Sequence, residues 1–231
     1  MNEIYTSSKK KFKTVFEMLV KTNDSYELGE AALPAYAHKN PMIDWLFWKR
    51  IQIAYNHANN TKKAKNKILD FGCGSGVLSY MLAQNNHDVI ACDIEFSPLN
   101  LVKKSIKFPS NIHFVEGNIL HKNLESNSFD IIYALDVLEH IDDLEPYIKL
   151  FDQLLTPDGL ILVSGPTENS LYKLGRKLAG NRFTGDYHVT NITKIKKAFS
   201  PYLEVSSLRK LLFPVVLFEL FEAQKKTTTP V

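Results

Sequence analysis

The stretch that most constrains this chain runs from Lys67 to Gly76: Lys-Ile-Leu-Asp-Phe-Gly-Cys-Gly-Ser-Gly. A short apolar run with a carboxylate near its end, Asp70, passes into glycines at alternate positions, Gly72, Gly74 and Gly76. Val77, Leu78, Met81 and Leu82 then recur at helical spacing. The order reads as strand, tight turn, helix. Glycine suits a turn where the chain bends sharply and a ligand approaches the backbone, because a Cβ would obstruct both. The helix that follows offers its unpaired N–H groups to whatever lies over the turn.

A second strand follows, His87 to Cys92, and ends on another carboxylate, Asp93. An acidic residue at the end of this strand suits the two hydroxyls of a ribose. The nicotinamide fingerprint would place its third glycine at position 77, which is Val77, so the spacing here is Gly-x-Gly-x-Gly. This resembles the first motif of the class I S-adenosylmethionine (SAM) dependent methyltransferases.

Downstream the alternation continues. Leu99, Leu101 and Val102 mark a helix capped by Ser97-Pro98; Ile112 to Val115 is a third strand; Phe129 to Ala134 is a fourth. A helix with Leu144, Ile148 and Phe151 comes next, and Pro157-Asp158-Gly159 turns into a fifth strand, Leu160 to Ser164. Such alternation predicts an α/β fold with a doubly wound, mostly parallel sheet, binding ligands at the carboxyl ends of its strands. Val205 to Leu208 and Val215 to Ala223 lack a helix between them and predict a closing antiparallel pair. Five alternating units and a terminal hairpin resemble the seven-stranded Rossmann-like methyltransferase fold over residues 65 to 223. Ala134-Leu135-Asp136-Val137-Leu138-Glu139-His140-Ile141 resembles the stretch after strand four in small-molecule enzymes of the ubiquinone-biosynthesis O-methyltransferase type.

The chain of 231 residues, 45% of them apolar, suits one main domain, expected over 65–231 with an insertion at 166–190. Residues 1–64 form an N-terminal helical segment: Phe12, Val15, Phe16 and Leu19 mark one helix, and Ile43, Leu46, Phe47 and Ile51 a second entered through Asn40-Pro41. The segment joining them, Asn23 to Lys39, suits either a substrate lid over a cleft or a plain helix connection. A net charge of +3 falls short of what nucleic-acid binding asks, and no nucleic-acid partner is expected. Cys73 and Cys92 show no metal spacing and read as buried packers of a reducing cytoplasm. The N-terminal lysines precede no apolar core, and the longest apolar run, Leu211 to Phe218, is broken by Pro214, so the expected location is cytoplasmic.

What the resemblance implies can be placed residue by residue. Gly72, Gly74 and Gly76 would let the backbone pass close to the methionine part of SAM, with Asp70 anchoring the turn and holding the ammonium group or its water. Asp93 would take the ribose hydroxyls, Ile94 would pack on the adenine, and Asn118 with the Ile119 N–H would read the adenine edge. Leu135, at the end of strand four, joins this cofactor set. The family more often has Asp where this chain has Asn118; an amide oxygen can still accept from an adenine amino group.

For chemistry, His140 is placed to act as general base or to orient an acceptor, with a helix-capping histidine as the bland reading. His188 is the second candidate, with a loop histidine beside it. Asp136, Glu139 and His140 resemble a divalent-metal cluster of one O-methyltransferase branch, but carboxylates at a helix start also serve its dipole, which is the reading favoured here. Around Pro166 to Thr190, Leu171, Leu174 and Leu178 share a helical face beside Lys173, Arg176 and Lys177. That pattern suits either peripheral contact with an anionic membrane and closure over a lipid-like acceptor, or a plain surface helix.

The expected activity is methyl transfer from SAM to a small molecule, most readily at oxygen, leaving S-adenosylhomocysteine. The rivals are a SAM-binding or partner-binding domain without turnover, a dinucleotide oxidoreductase, and a nucleobase N-methyltransferase. The last would want an Asn/Asp-Pro-Pro-aromatic run where Leu135-Asp136-Val137-Leu138 stands.

Overall fold

The protein is described by a computed structural model covering residues 3–22, 33–167, 190–212 and 216–226. His188, Leu171, Leu174 and Leu178 lie outside the described residues. The chain divides into two compact units, Met1–Ile119 and Leu120–Val231.

In the first unit, helices α1 (Glu3–Thr22), α2 (Leu33–Tyr36) and α3 (Pro41–Asn59) precede β1 (Lys67–Phe71), α4 (Val77–Gln84), β2 (Asp88–Asp93), α5 (Ser97–Lys103) and β3 (Ile112–Glu116). The strands lie in the order β3-β2-β1, all parallel, with Phe71 beside Cys92 and Asp93 beside Glu116. This register brings the carboxyl ends of β1 and β2 together. Helix α3 begins as its sequence predicts: the Asn40 side chain accepts from the Met42 amide over 2.9 Å, and Pro41 occupies the first turn, where its missing N–H costs nothing. Helix α5 departs from expectation. Its N-cap is Phe96, with no side-chain cap bond, so Ser97 is already helical; the Phe96 amide instead donates to Glu116 Oε1 at 2.9 Å.

The periodic face of α1 buries Phe12, Phe16 and Leu19, and burial of each such side chain is worth about 1.5–3 kcal/mol. The Tyr5 hydroxyl donates to the Trp48 carbonyl at 3.0 Å, and the Trp48 indole N–H donates to the Tyr36 carbonyl at 3.1 Å, tying the three helices together through otherwise costly buried polar groups. At the far end of α3, Asn59 Oδ1 lies 3.0 Å from His87 Nε2, while His87 Nδ1 accepts from the Asn66 amide at 3.1 Å. That pairing assigns the His87 proton to Nε2, and burial holds its pKa down.

The second unit contains β4 (Phe129–Leu135), α6 (Glu145–Leu154), β5 (Leu155–Pro166), α7 (Ile192–Phe199), β6 (Leu203–Leu212) and β7 (Val216–Lys225). Its order is β4-β5-β7-β6, with β4 and β5 parallel and β7 antiparallel to both its neighbours. The seven strands are those of the expected α/β class, with the antiparallel pair at the end of the chain. Strand β5 is longer than expected. Pairing jumps from Phe129–Leu155 to Ile131–Leu160, so Pro157-Asp158-Gly159 is a bulge inside the strand. A Cβ on Gly159 would meet the Phe129 carbonyl at 2.9 Å, which is why glycine stands there. Helix α7, absent from the sequence reading, is short but amphipathic, with Asn191 accepting from the Lys194 amide at 3.1 Å and Ile192, Ile195 and Phe199 buried.

Candidate functional site: a glycine turn pinned by a carboxylate

The turn after β1 is stitched to the end of β2. The amides of Gly72 and Cys73 both donate to the Cys92 carbonyl, at 2.9 and 3.0 Å, and the Gly76 amide donates back to the Cys73 carbonyl at 2.8 Å. Gly74 then donates to Asp93 Oδ2 at 2.7 Å, and the Ile94 amide to Asp93 Oδ1 at 2.8 Å. The backbone carbonyl of Asp93 accepts from Gly117 at 2.8 Å. One residue thus holds three segments: the glycine turn, the start of the β2–α5 connection, and the end of β3.

Gly74 has φ +53° and nothing within 4 Å of the place a Cβ would occupy, so its upper side is open space that a side chain would fill. Gly76 has φ +76° and is closed in: a Cβ would stand 2.9 Å from Leu99 Cδ1 and from Phe108 Cε1. The first glycine is open toward a ligand; the second is demanded by packing. Ile94, one residue past the carboxylate, is 73% exposed and offers an apolar surface on which a flat ring could pack. Asn118 is half-buried, and Ile119 is buried at the start of a 3₁₀ turn, Ile119–His121.

Asp70 points inward. It is buried, and its Oδ2 accepts from the hydroxyl of Ser79 in the first turn of α4, so the carboxylate ties the strand to the helix that follows the turn. Burial pushes its pKa up to about 6, against the lowering effect of the Ser79 bond. Burial also raises Asp93, opposed by its backbone N–H donors. The buried thiols of Cys73 and Cys92 are both free, and burial raises each well above the ordinary range. Ser79 escaped the sequence reading; its signal was a lone hydroxyl in the apolar run Val77-Leu78-Ser79-Tyr80-Met81-Leu82.

In the second unit the end of β4 is also bound to its neighbour. Leu135 pairs with Ser164, the Asp136 amide donates to the Ser164 carbonyl at 3.1 Å, and the Ser164 hydroxyl donates to Asp136 Oδ1 at 2.8 Å. Asp136 has φ +54°, an αL conformation that Asp tolerates better than most residues. A 3₁₀ turn, Leu138–His140, follows, with Glu139 buried and His140 exposed. Among the described residues no group of three His, Cys, Asp or Glu side chains is arranged to hold a metal ion.

Parallel strands ending on a pinned glycine turn, a strand-two carboxylate and a late antiparallel pair define the class I SAM-dependent methyltransferase fold. Residues 69–163 match the family described as methyltransferase domain. Over 105 residues the chain is 28% identical to the ubiquinone biosynthesis O-methyltransferase of Salmonella paratyphi A, covering 45% of this chain and 43% of that one. Over 104 residues it is 32% identical to the Haemophilus ducreyi protein of the same name, covering 42% and 44%. The match thus spans less than half the length of these relatives. Among solved structures, magnesium protoporphyrin IX methyltransferase from Synechocystis with bound S-adenosylhomocysteine superposes with a TM-score of 0.64 at 16% identity, covering 85% of this chain and 94% of that one. The N-methyltransferase NodS of Bradyrhizobium japonicum, also bound to S-adenosylhomocysteine, superposes at 0.61 and 16% identity, covering 97% and 99%. These likenesses establish the fold, and both of these solved neighbours hold S-adenosylhomocysteine.

Proposed function

We propose that the protein transfers a methyl group from SAM to a small-molecule acceptor, at oxygen. The observation that carries this is the pair Gly74 and Asp93: a left-handed glycine with empty space above it, held by a carboxylate at the end of β2. The cofactor set in this reading is Asp70, Gly72, Gly74, Gly76, Asp93, Ile94, Asn118, Ile119 and Leu135. Bound there, SAM supplies an electrophilic methyl group on a sulfonium sulfur.

The residues of the chain divide the remaining work. Asp93 has carboxylate lone pairs beyond those engaged by Gly74 and Ile94, and these accept from ribose hydroxyls. Asp70 supplies negative charge behind the turn, matched to an ammonium group. His140, exposed just past β4, accepts the proton that an acceptor hydroxyl must lose as its oxygen bonds the methyl and the sulfur–carbon bond breaks. His188 remains the second candidate for that step. Because displacement at a methyl carbon needs little covalent help, most of the acceleration comes from alignment of the acceptor. The O-methyltransferase names of the relatives support oxygen as the methylated atom. A lipid-like acceptor and contact with an anionic membrane through 166–190 extend the same reading.

The test is a calorimetric titration of the protein with SAM, S-adenosylhomocysteine and NAD, followed by mass spectrometry of a small-molecule extract incubated with protein and SAM. SAM and its product should bind, NAD should not, and a species heavier by one methylene should appear. Binding of SAM with no methylated product from any extract would leave a SAM-binding domain without turnover.

A further inference from the structure

An aromatic row runs through the first unit from the N-terminal helix to the glycine turn. Phe12 of α1 meets Tyr80 of α4 edge-on, with ring centres 5.2 Å apart, and meets Phe108 at 6.2 Å. Tyr80 and Phe108 meet in turn at 5.6 Å, nearly perpendicular, closing a three-ring cluster. Phe108 continues to Phe114 of β3 at 5.5 Å, and Phe114 to Phe96 at 6.0 Å, two residues past Ile94. Edge-to-face pairs of this kind add about 0.5–1.5 kcal/mol each beyond burial and define mutual orientation.

The row ends against the turn itself. Phe108 Cε1 and Cζ stand 2.9 and 3.1 Å from the place of a Cβ on Gly76. Gly76 is the N-cap of α4, and its carbonyl accepts from the Tyr80 amide at 2.9 Å, so the two rings that flank Phe12 touch the turn and the first turn of the helix behind it. Lys11, next to Phe12, donates to the Tyr80 hydroxyl at 3.0 Å, a second tie from α1 to the same ring.

We propose that Phe108, backed by Phe12, is a positioning residue for the cofactor turn, so that the N-terminal helix α1 sets cofactor affinity by acting through Gly76 and Tyr80. The inference rests on the reading of the glycine turn as the SAM site. A left-handed Gly76 with no side chain of its own has wide conformational freedom, and a ring pressed where its Cβ would be removes that freedom before a ligand arrives. Pre-organisation of this kind appears in affinity, because the ligand no longer has to order the turn.

The test compares Phe108→Leu and Phe12→Leu with Phe16→Leu, a change on the same helix whose ring meets Phe12 and Tyr36. All three should lower the melting temperature. SAM Kd should rise about tenfold in the first two, equivalent to about 1.4 kcal/mol, and stay at the wild-type value in Phe16→Leu. Combining Phe12→Leu with Phe108→Leu should raise Kd by much less than the product of the single effects, as expected of residues in one line of contact. Amide hydrogen exchange at Gly76 and Tyr80 without ligand gives a second readout, faster in Phe108→Leu and Phe12→Leu than in Phe16→Leu. That exchange test holds even if wild-type protein fails to bind SAM, an outcome that would remove the proposed function and not the ordering of the turn by Phe108. Unchanged exchange in folded Phe108→Leu and Phe12→Leu, or equal changes in all three variants, would overturn the proposal.

Discussion

Gly74 and Asp93, nineteen positions apart, meet in a 2.7 Å hydrogen bond from amide to carboxylate. The bond means that the residue expected to hold the ribose also holds the turn expected to hold the methionine part. Asp93→Ala removes both functions. Loss of a charged hydrogen bond is worth about 1.5–3 kcal/mol, and SAM affinity should fall by at least that amount, measured by calorimetry. Asp93→Asn, which keeps an acceptor oxygen for the Gly74 amide, should retain more turn order and lie between the two. A folded Asp93→Ala protein with wild-type SAM affinity would remove the cofactor assignment.

Gly74 and Gly76, the last two glycines of the turn, should respond differently to added side chains. Gly74→Val places a branched side chain in open space above the turn and in a left-handed conformation, costing about 1–2 kcal/mol of stability while abolishing SAM binding. Gly76→Ala adds a clash with Leu99 and Phe108, so its larger effect should be on the melting temperature. Thermal unfolding and SAM titration of the pair would show the contrast; equal stability losses would contradict it.

Asp70 gives the site a pH dependence. Its folded pKa, about 6, lies above the ordinary value of 3.8 because burial disfavours the charge. Its contribution to the stability of the ligand-free protein is therefore fully present below about pH 3.8 and lost as pH rises through about 6. Binding has the opposite sign: a ligand with an ammonium group at Asp70 prefers the ionised carboxylate, so SAM affinity should weaken as pH falls below about 6. Ser79→Ala removes a bond that favours the carboxylate and should move this midpoint upward, readable by calorimetry across pH 5 to 8.

His140→Ala should lower kcat at saturating SAM by about 10²–10⁴ while leaving SAM affinity unchanged, if the imidazole takes the acceptor proton. His140→Gln should not restore the rate, because an amide orients but does not accept the proton. Full activity of His140→Ala would transfer the role to His188 or to an acceptor that ionises unaided.

Local chemistry made much of this protein legible in its sequence. Alternating apolar runs and helical stripes specify strands and helices one at a time, and a glycine turn followed by a strand-end carboxylate marks the corner proposed for a nucleotide-like ligand. Asn40-Pro41 could be read as a helix start because cap and helix are neighbours in the chain. What the sequence did not reveal depends on contacts between distant segments. Ser79 became the partner of Asp70, Glu116 took the Phe96 amide in place of a cap by Ser97, and Pro157-Asp158-Gly159 became a bulge because β4 and β5 pair across it. Phe108 reads only as an apolar residue in a loop until the fold sets it against Gly76. Its role is decided by which ring fills a space, and that space exists only once α1, α4 and the 104–111 connection have packed around the turn.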